Sequence, residues 1–500
     1  MPAGPKQLSD RFQRRSDLWG GSIGRTLFMP WSVFDGHAPS SSLPLEEADM
    51  LVPSALRRAA APLATAFVLT ALALWAPTLT AQEIVTGDWP QWRGPARDGA
   101  APGFEAPNAW PEELELVWER EVGHSDSPPV VDGSRVFVFV REAEEEVLLA
   151  LDKDSGETLW RGAYPAPFQP VSIVGDHGAG PFASPLVLDG TVYTFGITQI
   201  LTAWDAATGE LRWQRGFDDE FEKVPAFYGN SVSPAIEGGK LIVAVGGPAG
   251  GAVLALDPTD GTDLWRNAGE EGPAYGSITV AELGGEQQVV LFLQKHLVGL
   301  RLDDGELLWR LPFRVPFDAA SLTPLVLGDL VIVSSDRTPT EAHRVSRSGN
   351  GEWTLELVWS NKDVGMAYST PVLTQGKLVV FSTKKKGQLV VLNPESGEVI
   401  WEGEPRLGAN AFLTTGGGVV FAVADDGRSH VLDLRESPVV PRSYEVAESA
   451  VWNYPVLLDR HLVIKDWSHV RVWSLTPPTP GSATPTNTSE EANNSEDGAR

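Results

Sequence analysis

The chain contains no cysteine among its 500 residues. This absence excludes a disulfide framework, thiolate metal sites, a thiol nucleophile and a lipid-anchored N-terminal cysteine. Positive charge is scarce, with 39 Lys and Arg against 66 Asp and Glu, and the net charge of −27 argues against nucleic-acid binding. The sequence also lacks a phosphate-binding P-loop and an H-x-x-x-H zinc spacing. The common nucleotide-binding and zinc-protease motifs are therefore absent.

The chain is rich in residues that make turns and pack between strands, with 50 Gly, 39 Pro and 18 Trp. A hydrophobic content of 42% is enough to build a large core. This composition favours many short strands joined by turns over long helices.

The two ends differ in composition from the body. Residues 1–49 are predicted to be disordered or to precede a true start at Met50. Residues 50–81, with Arg57 and Arg58 before an apolar run, are predicted to be a signal peptide, or an N-terminal membrane anchor if it is not cleaved. Residues 82–113 are a further N-terminal extension, and residues 476–500 are predicted to be a disordered tail. The protein is therefore expected to be exported to the periplasm or cell envelope.

The body, residues 114–475, repeats one unit. The clearest copies run from Ala150 to Trp160 and from Ala203 to Trp213, and both follow the pattern A-x-D-x-x-[ST]-G-x-x-x-W. The Gly supplies a positive φ for a tight turn, and the Trp four residues later begins an outer strand. Trp118 and Trp359 occupy equivalent outer strands, whereas the unit at 408–441 is degenerate.

A second motif, a small residue followed by Pro and an apolar strand, recurs every 42 to 57 residues, for example at Ser127-Pro128 and Ser184-Pro185. Four strands per period of this size predict the blades of a β-propeller. We expect an all-β, eight-bladed propeller of four-stranded antiparallel blades, with seven blades as the alternative. Only three strands follow Pro455, so the isolated strand Leu114–Trp118 is expected to complete the last blade and close the ring.

The repeat resembles the tryptophan-docking repeat of pyrroloquinoline-quinone (PQQ) enzymes, which is shared by the non-catalytic propeller lipoprotein of the outer-membrane β-barrel assembly machinery. The opening Asp88-Trp89-Pro90-Gln91-Trp92-Arg93-Gly94-Pro95 resembles the leader of exported bacterial PQQ-like repeat proteins. The resemblance covers roughly residues 88–475 and implies the fold far more firmly than an activity.

Three functions follow from that resemblance. The leading hypothesis is a non-enzymatic binding or scaffold protein of the cell envelope, with an envelope protein or peptide as partner and no cofactor. The second is a PQQ-dependent dehydrogenase of alcohols or sugars that uses PQQ with Ca²⁺. The third is a sugar- or peptide-binding propeller. The chain lacks both the adjacent cysteines on which known methanol-oxidising relatives stack PQQ and the cysteine that anchors the assembly lipoprotein.

The repeat register places two sets of residues on one face of the disc. The loops that lead into the inner strands are predicted to form a channel rim with His124, Asp126, Tyr228, Asn230, Tyr275, Tyr368, Asn410, Trp452 and Asn453. The loops between second and third strands are predicted to form an anion patch, which could hold a carboxylate cofactor, with Lys295, Arg337, Lys384, Arg428 and Lys465. The acidic run from Glu142 to Glu146 is predicted to solvate a hairpin tip.

Overall fold

The computed structural model describes residues 87–170, 177–221 and 228–476. In this part of the chain 32 strands form eight four-stranded antiparallel sheets. The predicted leader and tail lie outside the described residues. No helix within the described ranges is long and apolar enough to cross a membrane.

The strands follow one another blade by blade. The N-terminal strand and blades 1 to 4 comprise β1 (Glu115–Glu121), β2 (Val130–Asp132), β3 (Arg135–Glu142), β4 (Glu145–Asp152), β5 (Thr158–Pro165), β6 (Leu186–Leu188), β7 (Thr191–Phe195), β8 (Ile200–Asp205), β9 (Leu211–Gly216), β10 (Ala235–Glu237), β11 (Lys240–Gly247), β12 (Gly250–Leu256), β13 (Asp263–Gly269), β14 (Thr279–Leu283), β15 (Glu286–Phe292), β16 (His296–Arg301) and β17 (Leu307–Pro312). Blades 5 to 8 comprise β18 (Leu325–Leu327), β19 (Leu330–Val333), β20 (Thr340–Arg347), β21 (Trp353–Asn361), β22 (Val372–Thr374), β23 (Lys377–Ser382), β24 (Gln388–Leu392), β25 (Val399–Pro405), β26 (Ala411–Gly416), β27 (Val419–Ala424), β28 (Arg428–Asp433), β29 (Val439–Glu445), β30 (Val456–Leu457), β31 (His461–Lys465) and β32 (His469–Ser474).

The ring closes as the sequence predicts. Strand β1 pairs antiparallel with β32, so the last blade has the order β1-β32-β31-β30. The degenerate unit forms a complete blade, β26 to β29. The eight-bladed prediction is therefore confirmed, and the seven-bladed alternative is wrong.

The repeated Gly and Trp dock neighbouring blades onto each other. The indole nitrogen of Trp118 donates to the carbonyl of Lys153 at 2.8 Å, in the turn of the next blade. Gly156 in that turn has φ +71, and a Cβ there would lie 2.6 Å from the Trp118 ring. Only glycine therefore combines this backbone conformation with this approach. The same indole-to-carbonyl bond recurs at Trp160, Trp213, Trp265 and Trp359.

Trp309 departs from this pattern. Its indole nitrogen donates at 2.7 Å to the Gln288 side chain in its own blade. The next blade has an irregular turn at 348–352 in place of the Asp-x-x-x-Gly turn, and the usual acceptor is therefore missing.

Hydroxyl groups link the starts of the inner strands from blade 2 to blade 6. The backbone N–H of Ser184 donates to the Ser233 hydroxyl, and this pattern continues through Ser277, Thr323 and Thr370 at 3.0 to 3.2 Å. In blades 3 to 6 the small residue before the inner strand thus accepts a bond from the preceding blade, which gives the second sequence motif its physical reason there.

The segment Asp88 to Ala101 fills the channel and contacts all eight blades, a role that the sequence did not predict. In blade order the contacts join Trp89 to Val131, Pro90 to Val187, Arg97 to Pro234 and to Ile278, Trp92 to Thr323, Arg93 to Pro371, Ala100 to Thr415, and Trp92 to Tyr454. We call residues 88–101 the plug.

The plug enters and leaves on the face of the tight turns. The Asp88 carboxylate accepts from the N–H of Gly133 in the first turn of blade 1, at 2.9 Å. Beyond the plug, the Pro107 carbonyl accepts from Arg435 in the last turn of blade 7, at 3.3 Å. The plug therefore fills the channel from this face. We call the opposite end, where loops lead into the inner strands, the mouth.

Candidate functional site

Aromatic side chains from separate blades meet at the mouth. Tyr368 of blade 6 and Trp452 of blade 8 lie edge to face with 5.8 Å between their ring centroids. Tyr228 and Tyr275 lie edge to face at 5.5 Å. The structure therefore brings these four predicted rim residues into two contacting pairs.

His177, from the long loop of blade 2, joins these pairs. Its ring lies 4.7 Å from Trp452 and 6.2 Å from Tyr228, both edge to face. Its Nδ1 lies 2.8 Å from the carboxylate of Asp126, which fixes the orientation of the imidazole. His177 thus connects side chains from the loops of blades 8 and 3.

His124 lies in a separate contact on the same face. Its ring stacks on Trp467 at 5.1 Å. Trp467 also packs close to Gly178, since a Cβ on that glycine would lie 2.8 Å from the indole. Neither Trp467 nor Phe182, whose ring lies 6.5 Å from His177, was among the predicted rim residues.

The three predicted asparagines are buried and differ in their partners. The Asn230 amide donates to the carbonyls of Phe195 and Gly196, both at 3.3 Å. The Asn453 amide donates to the Lys465 carbonyl at 2.9 Å, while its Oδ1 has no partner. Asn410 is 1% exposed, and neither side-chain atom of its amide has a hydrogen-bond partner.

Burial at the mouth raises the pKa of two kinds of group. Tyr368 is 48% exposed, yet desolvation raises the pKa of its hydroxyl, as expected for a side chain against a concave wall. Desolvation also raises the pKa of Asp425 to about 6, although its carboxylate accepts from the Ala409 N–H at 3.1 Å.

The predicted anion patch contains one residue with a different role. Lys465 is 0% exposed, and its ammonium donates to the carbonyls of Ser125, Asp466 and Trp467 at 2.8, 3.0 and 3.5 Å. Its charge is therefore held inside blade 8, whereas the sequence analysis placed it in the patch.

The other four patch residues are partly or well exposed on blades 4 to 7. Arg337 lies 3.5 Å from the Asp336 carboxylate, and Arg428 lies 4.0 Å from Asp426 and 3.7 Å from Glu445. The Lys384 ammonium donates to the Asp336 carbonyl at 3.2 Å. At Lys295 the backbone N–H donates to Glu271 at 3.2 Å. That these four bind an anion stays a prediction.

Two arginines of the plug donate hydrogen bonds to backbone carbonyls of several blades, and the sequence patterns did not predict this role. Arg93 is 1% exposed and donates to the carbonyls of Pro371 and Asp98 at 2.6 and 2.9 Å. Arg97 donates to Ile278 and Pro234 at 2.8 and 2.9 Å, and desolvation lowers its pKa to about 9. The dense Trp, Arg and Pro content of residues 88–99 was the available signal.

The residues of the mouth do not fit the Ca²⁺ of a quinoprotein. Calcium takes six to eight oxygen ligands, usually with several converging carboxylates. Within residues 87–170, 177–221 and 228–476, no group of three or more His, Asp and Glu side chains is arranged to hold a metal ion. Three carboxylates on this face are engaged separately: Asp126 contacts His177, Asp466 pairs with Arg471, and Asp425 accepts from the Ala409 N–H. Whether PQQ binds stays a prediction.

Comparisons with known proteins give two relatives, which match different lengths of this chain. Outer membrane protein assembly factor BamB of Shewanella oneidensis is 24% identical over 307 residues, which make up 59% of this chain and 74% of that protein. The serine/threonine-protein kinase AfsK of Streptomyces griseus is 30% identical over 190 residues, 37% of this chain. The match spans only 21% of the kinase, so the likeness concerns a part of that protein.

Solved structures share the fold at low identity. BamB from Moraxella catarrhalis superposes with a TM-score of 0.53 at 15% identity, covering 72% of this chain and 99% of that one. A quinohemoprotein alcohol dehydrogenase from Comamonas testosteroni gives a TM-score of 0.56 at 14% identity, covering 80% of this chain and 82% of the other. These likenesses show the fold alone.

A family model, PQQ_2, described as outer membrane protein assembly factor BamB, matches residues 144–379 and 343–437, which together span more than half of the chain. The matched stretch holds blades 2 to 6 in full, with most of their docking Trp and Gly residues. The chain belongs to this PQQ-like, BamB-type family of β-propellers.

Proposed function

We propose that the protein is a non-enzymatic binding module of the bacterial cell envelope, which holds its ligand or partner at the mouth. The observation that carries this proposal is the construction of the channel. The plug fills it from the tight-turn face, and an aromatic surface from several blades remains at the other end.

The pairing of charges at the mouth supports binding over redox chemistry. Asp126 is oriented on His177, Asp466 is paired with Arg471, and the Lys465 ammonium is enclosed by carbonyls. A catalytic site usually keeps an acid or base poised for substrate, with a pKa matched to its task. These groups instead satisfy one another, and Asp425, whose pKa is raised to about 6, is held by the backbone N–H of Ala409.

An envelope location is supported by the relatives. The matching family and the Shewanella oneidensis relative are both described as outer membrane protein assembly factors. The export signal predicted at residues 50–81 agrees with that location.

The test is an activity assay combined with a binding assay. Purified protein is mixed with PQQ and Ca²⁺, and dye reduction is followed with alcohols and aldoses. Saturable turnover would overturn the proposal and establish the dehydrogenase alternative. Absence of dye reduction supports the proposal if a component of envelope extract also binds the protein in the expected way. That component should bind wild type and Leu307→Ala and should not bind Tyr368→Ala. Leu307 is a suitable control because it is 43% exposed on β17, an outer strand far from the mouth in the blade.

A further inference from the structure

The rim of the mouth has an alternating pattern that follows the blades. Each inner strand is preceded by a position that is Ser or Thr in blades 1 to 6, such as Ser127 and Thr370, and by its equivalent in blades 7 and 8. We call the residue two places before this position the rim position. In blades 2, 4, 6 and 8 the rim residue is aromatic: Phe182, Tyr275, Tyr368 and Trp452. In blades 1, 3, 5 and 7 it is small and polar: Ser125, Ser231, Ser321 and Asn410. Rings and hydrogen-bonding groups therefore alternate around the mouth.

One arc of this rim contains buried polar atoms without partners. They belong to the loops of four successive blades, 6, 7, 8 and 1: Ser369 Oγ, both amide atoms of Asn410, Asn453 Oδ1 and Ser125 Oγ. Native proteins satisfy almost all buried polar groups, and exceptions call for a bound water, ion or ligand. Several such atoms in adjacent loops point to a common occupant.

Asn410 shows where that occupant enters. Blade 7 lies between blades 6 and 8, so the contact between the Tyr368 and Trp452 rings spans the rim position of Asn410. The Asn410 side chain itself is buried, with 1% exposure. A molecule that separates the two rings would therefore approach the loop that carries Asn410.

The charges of the arc indicate that the occupant is neutral. Asp126 and Asp466 are already held by His177 and Arg471, and the Lys465 ammonium by three carbonyls. Asp425, beside Asn410, accepts from the Ala409 N–H at 3.1 Å. The unpartnered atoms are hydroxyl and amide groups, which donate to and accept from neutral hydroxyls. Aromatic walls with a few convergent polar groups are the usual construction of small-molecule sites.

We propose that the arc formed by Tyr368, Asn410, Trp452 and Asn453 binds a neutral carbohydrate. The pyranose ring replaces the edge-to-face contact between Tyr368 and Trp452 and packs against these side chains, and its hydroxyls satisfy the Asn410 amide and the Asn453 Oδ1. This inference rests on the proposed binding function and names its ligand class.

The experiment is a calorimetric titration of the purified protein with glucose, N-acetylglucosamine and maltose, alongside glucuronic acid and an acidic peptide. We expect saturable binding of at least one neutral sugar and weaker binding of glucuronic acid. Tyr368→Ala should weaken the sugar about tenfold, the equivalent of about 1.4 kcal/mol, and Leu307→Ala should leave it unchanged.

A second variant separates ligand binding from folding. Asn410→Leu removes an amide that has no partner in the described structure, so the stability of the free protein should be unchanged or higher. Sugar affinity should nevertheless fall, because the hydroxyls lose their partner. If Asn410→Leu instead lowers stability and leaves sugar affinity intact, the amide is structural and the inference is wrong.

The outcomes distinguish this inference from the proposed function. No neutral sugar binding at millimolar concentration, or binding unaffected by Tyr368→Ala, overturns the carbohydrate site. Binding of only the acidic peptide at the mouth also overturns it and leaves the binding function standing. Turnover with PQQ and Ca²⁺ overturns the function itself.

Discussion

At the scale of single residues, two buried ionisable groups carry the clearest consequences of folding. Lys465 and Glu146 are both charged at neutral pH in an unfolded chain, and both are fully buried in the propeller. Each is surrounded by hydrogen-bond partners, yet desolvation shifts the pKa of each toward its neutral form.

Lys465 makes stability depend on alkaline pH. Desolvation lowers its pKa from 10.5 to about 8 in the folded protein. Between these two values the unfolded chain binds more protons, so the free energy of unfolding rises with pH across this window by up to about 3 kcal/mol. The variant Lys465→Met should lose this rise. Urea unfolding of both proteins at about pH 7.5 and about pH 10 would measure this rise in the free energy of unfolding. These two pH values lie near the folded and unfolded pKa values of Lys465.

The exposed Lys386 provides the matched control for that measurement. Lys386→Met should keep the wild-type rise because its ammonium lies in solvent. Equal slopes for Lys465→Met and wild type would show that Lys465 is not desolvated.

Glu146 corrects an interpretation of the sequence. The acidic run Glu142 to Glu146 was expected to be solvated, and for Glu146 this is wrong. Its carboxylate accepts from the Tyr164 hydroxyl at 2.6 Å and from the Ile197 N–H at 2.8 Å, between blades 1 and 2. Its side chain is buried because neighbouring blades cover both faces of β4, so that every residue from Glu146 to Leu151 is buried whichever face it occupies.

Substitutions at Glu146 should separate charge from hydrogen bonding. Desolvation raises its folded pKa, so the stability it contributes is complete below its unfolded pKa and falls as pH rises through the folded value. Glu146→Gln should therefore be as stable as wild type or more stable at pH 7. Glu146→Ala should lose about 3 kcal/mol because Tyr164 and Ile197 lose their acceptor and the buried Arg141 guanidinium, 3.5 Å away, loses its carboxylate. Guanidinium unfolding at pH 7 would test both, and a Gln variant as unstable as the Ala variant would contradict the account.

At the scale of elements, the plug is as much a part of the propeller as a blade. Trp89 is 1% exposed and exchanges two backbone hydrogen bonds with Val131 of β2, at 2.7 and 2.8 Å. Arg93 and Arg97 join it to blades 3, 4 and 6 through backbone carbonyls. Buried arginines without a carboxylate partner are costly, and these carbonyl bonds offset that cost.

The variant Trp89→Ala should destabilise the whole propeller. Removal of a fully buried indole costs about 3 to 5 kcal/mol. The midpoint of urea unfolding should fall in a single transition, and the Val131 amide should exchange faster with solvent. Leu116→Ala, at a side chain 44% exposed on β1, should change stability by less than about 0.5 kcal/mol. A loss below about 1 kcal/mol for Trp89→Ala would show that the plug is dispensable.

The blades were predictable from sequence and the plug was not, because the repeat reports contacts between residues close in sequence, whereas the plug contacts residues far along the chain. The Asp-Gly-Trp unit is a local turn, and its period reports the fold directly, so β2 to β32 could be anticipated. The bond from Arg93 to Pro371 joins residues 278 positions apart. No local pattern encodes such a contact. The rim residues could be assigned to one face because register follows from the repeat, whereas the burial of Lys465 depends on how three carbonyls converge.

At the scale of the whole molecule, the described residues form a propeller whose channel is filled from one face. Indole side chains dock neighbouring blades, the plug occupies the channel from the tight-turn face, and the aromatic mouth lies at the opposite end. Every outer strand also carries at least one exposed aliphatic side chain, such as Leu159 on β5 and Leu264 on β13. Among the described residues the mouth and this outer belt are both candidate contact surfaces, and the account assigns ligand binding to the mouth.

Site-specific photo-crosslinking in cells tests that assignment most directly. A photoreactive residue is placed at Tyr368 in the mouth and, in a second protein, at Leu307 on the outer belt, and intact masses are measured after illumination. The account predicts a ligand or partner adduct from position 368 that is absent or much weaker from position 307. Adducts from position 307 alone, or equal adducts from both positions, would contradict it.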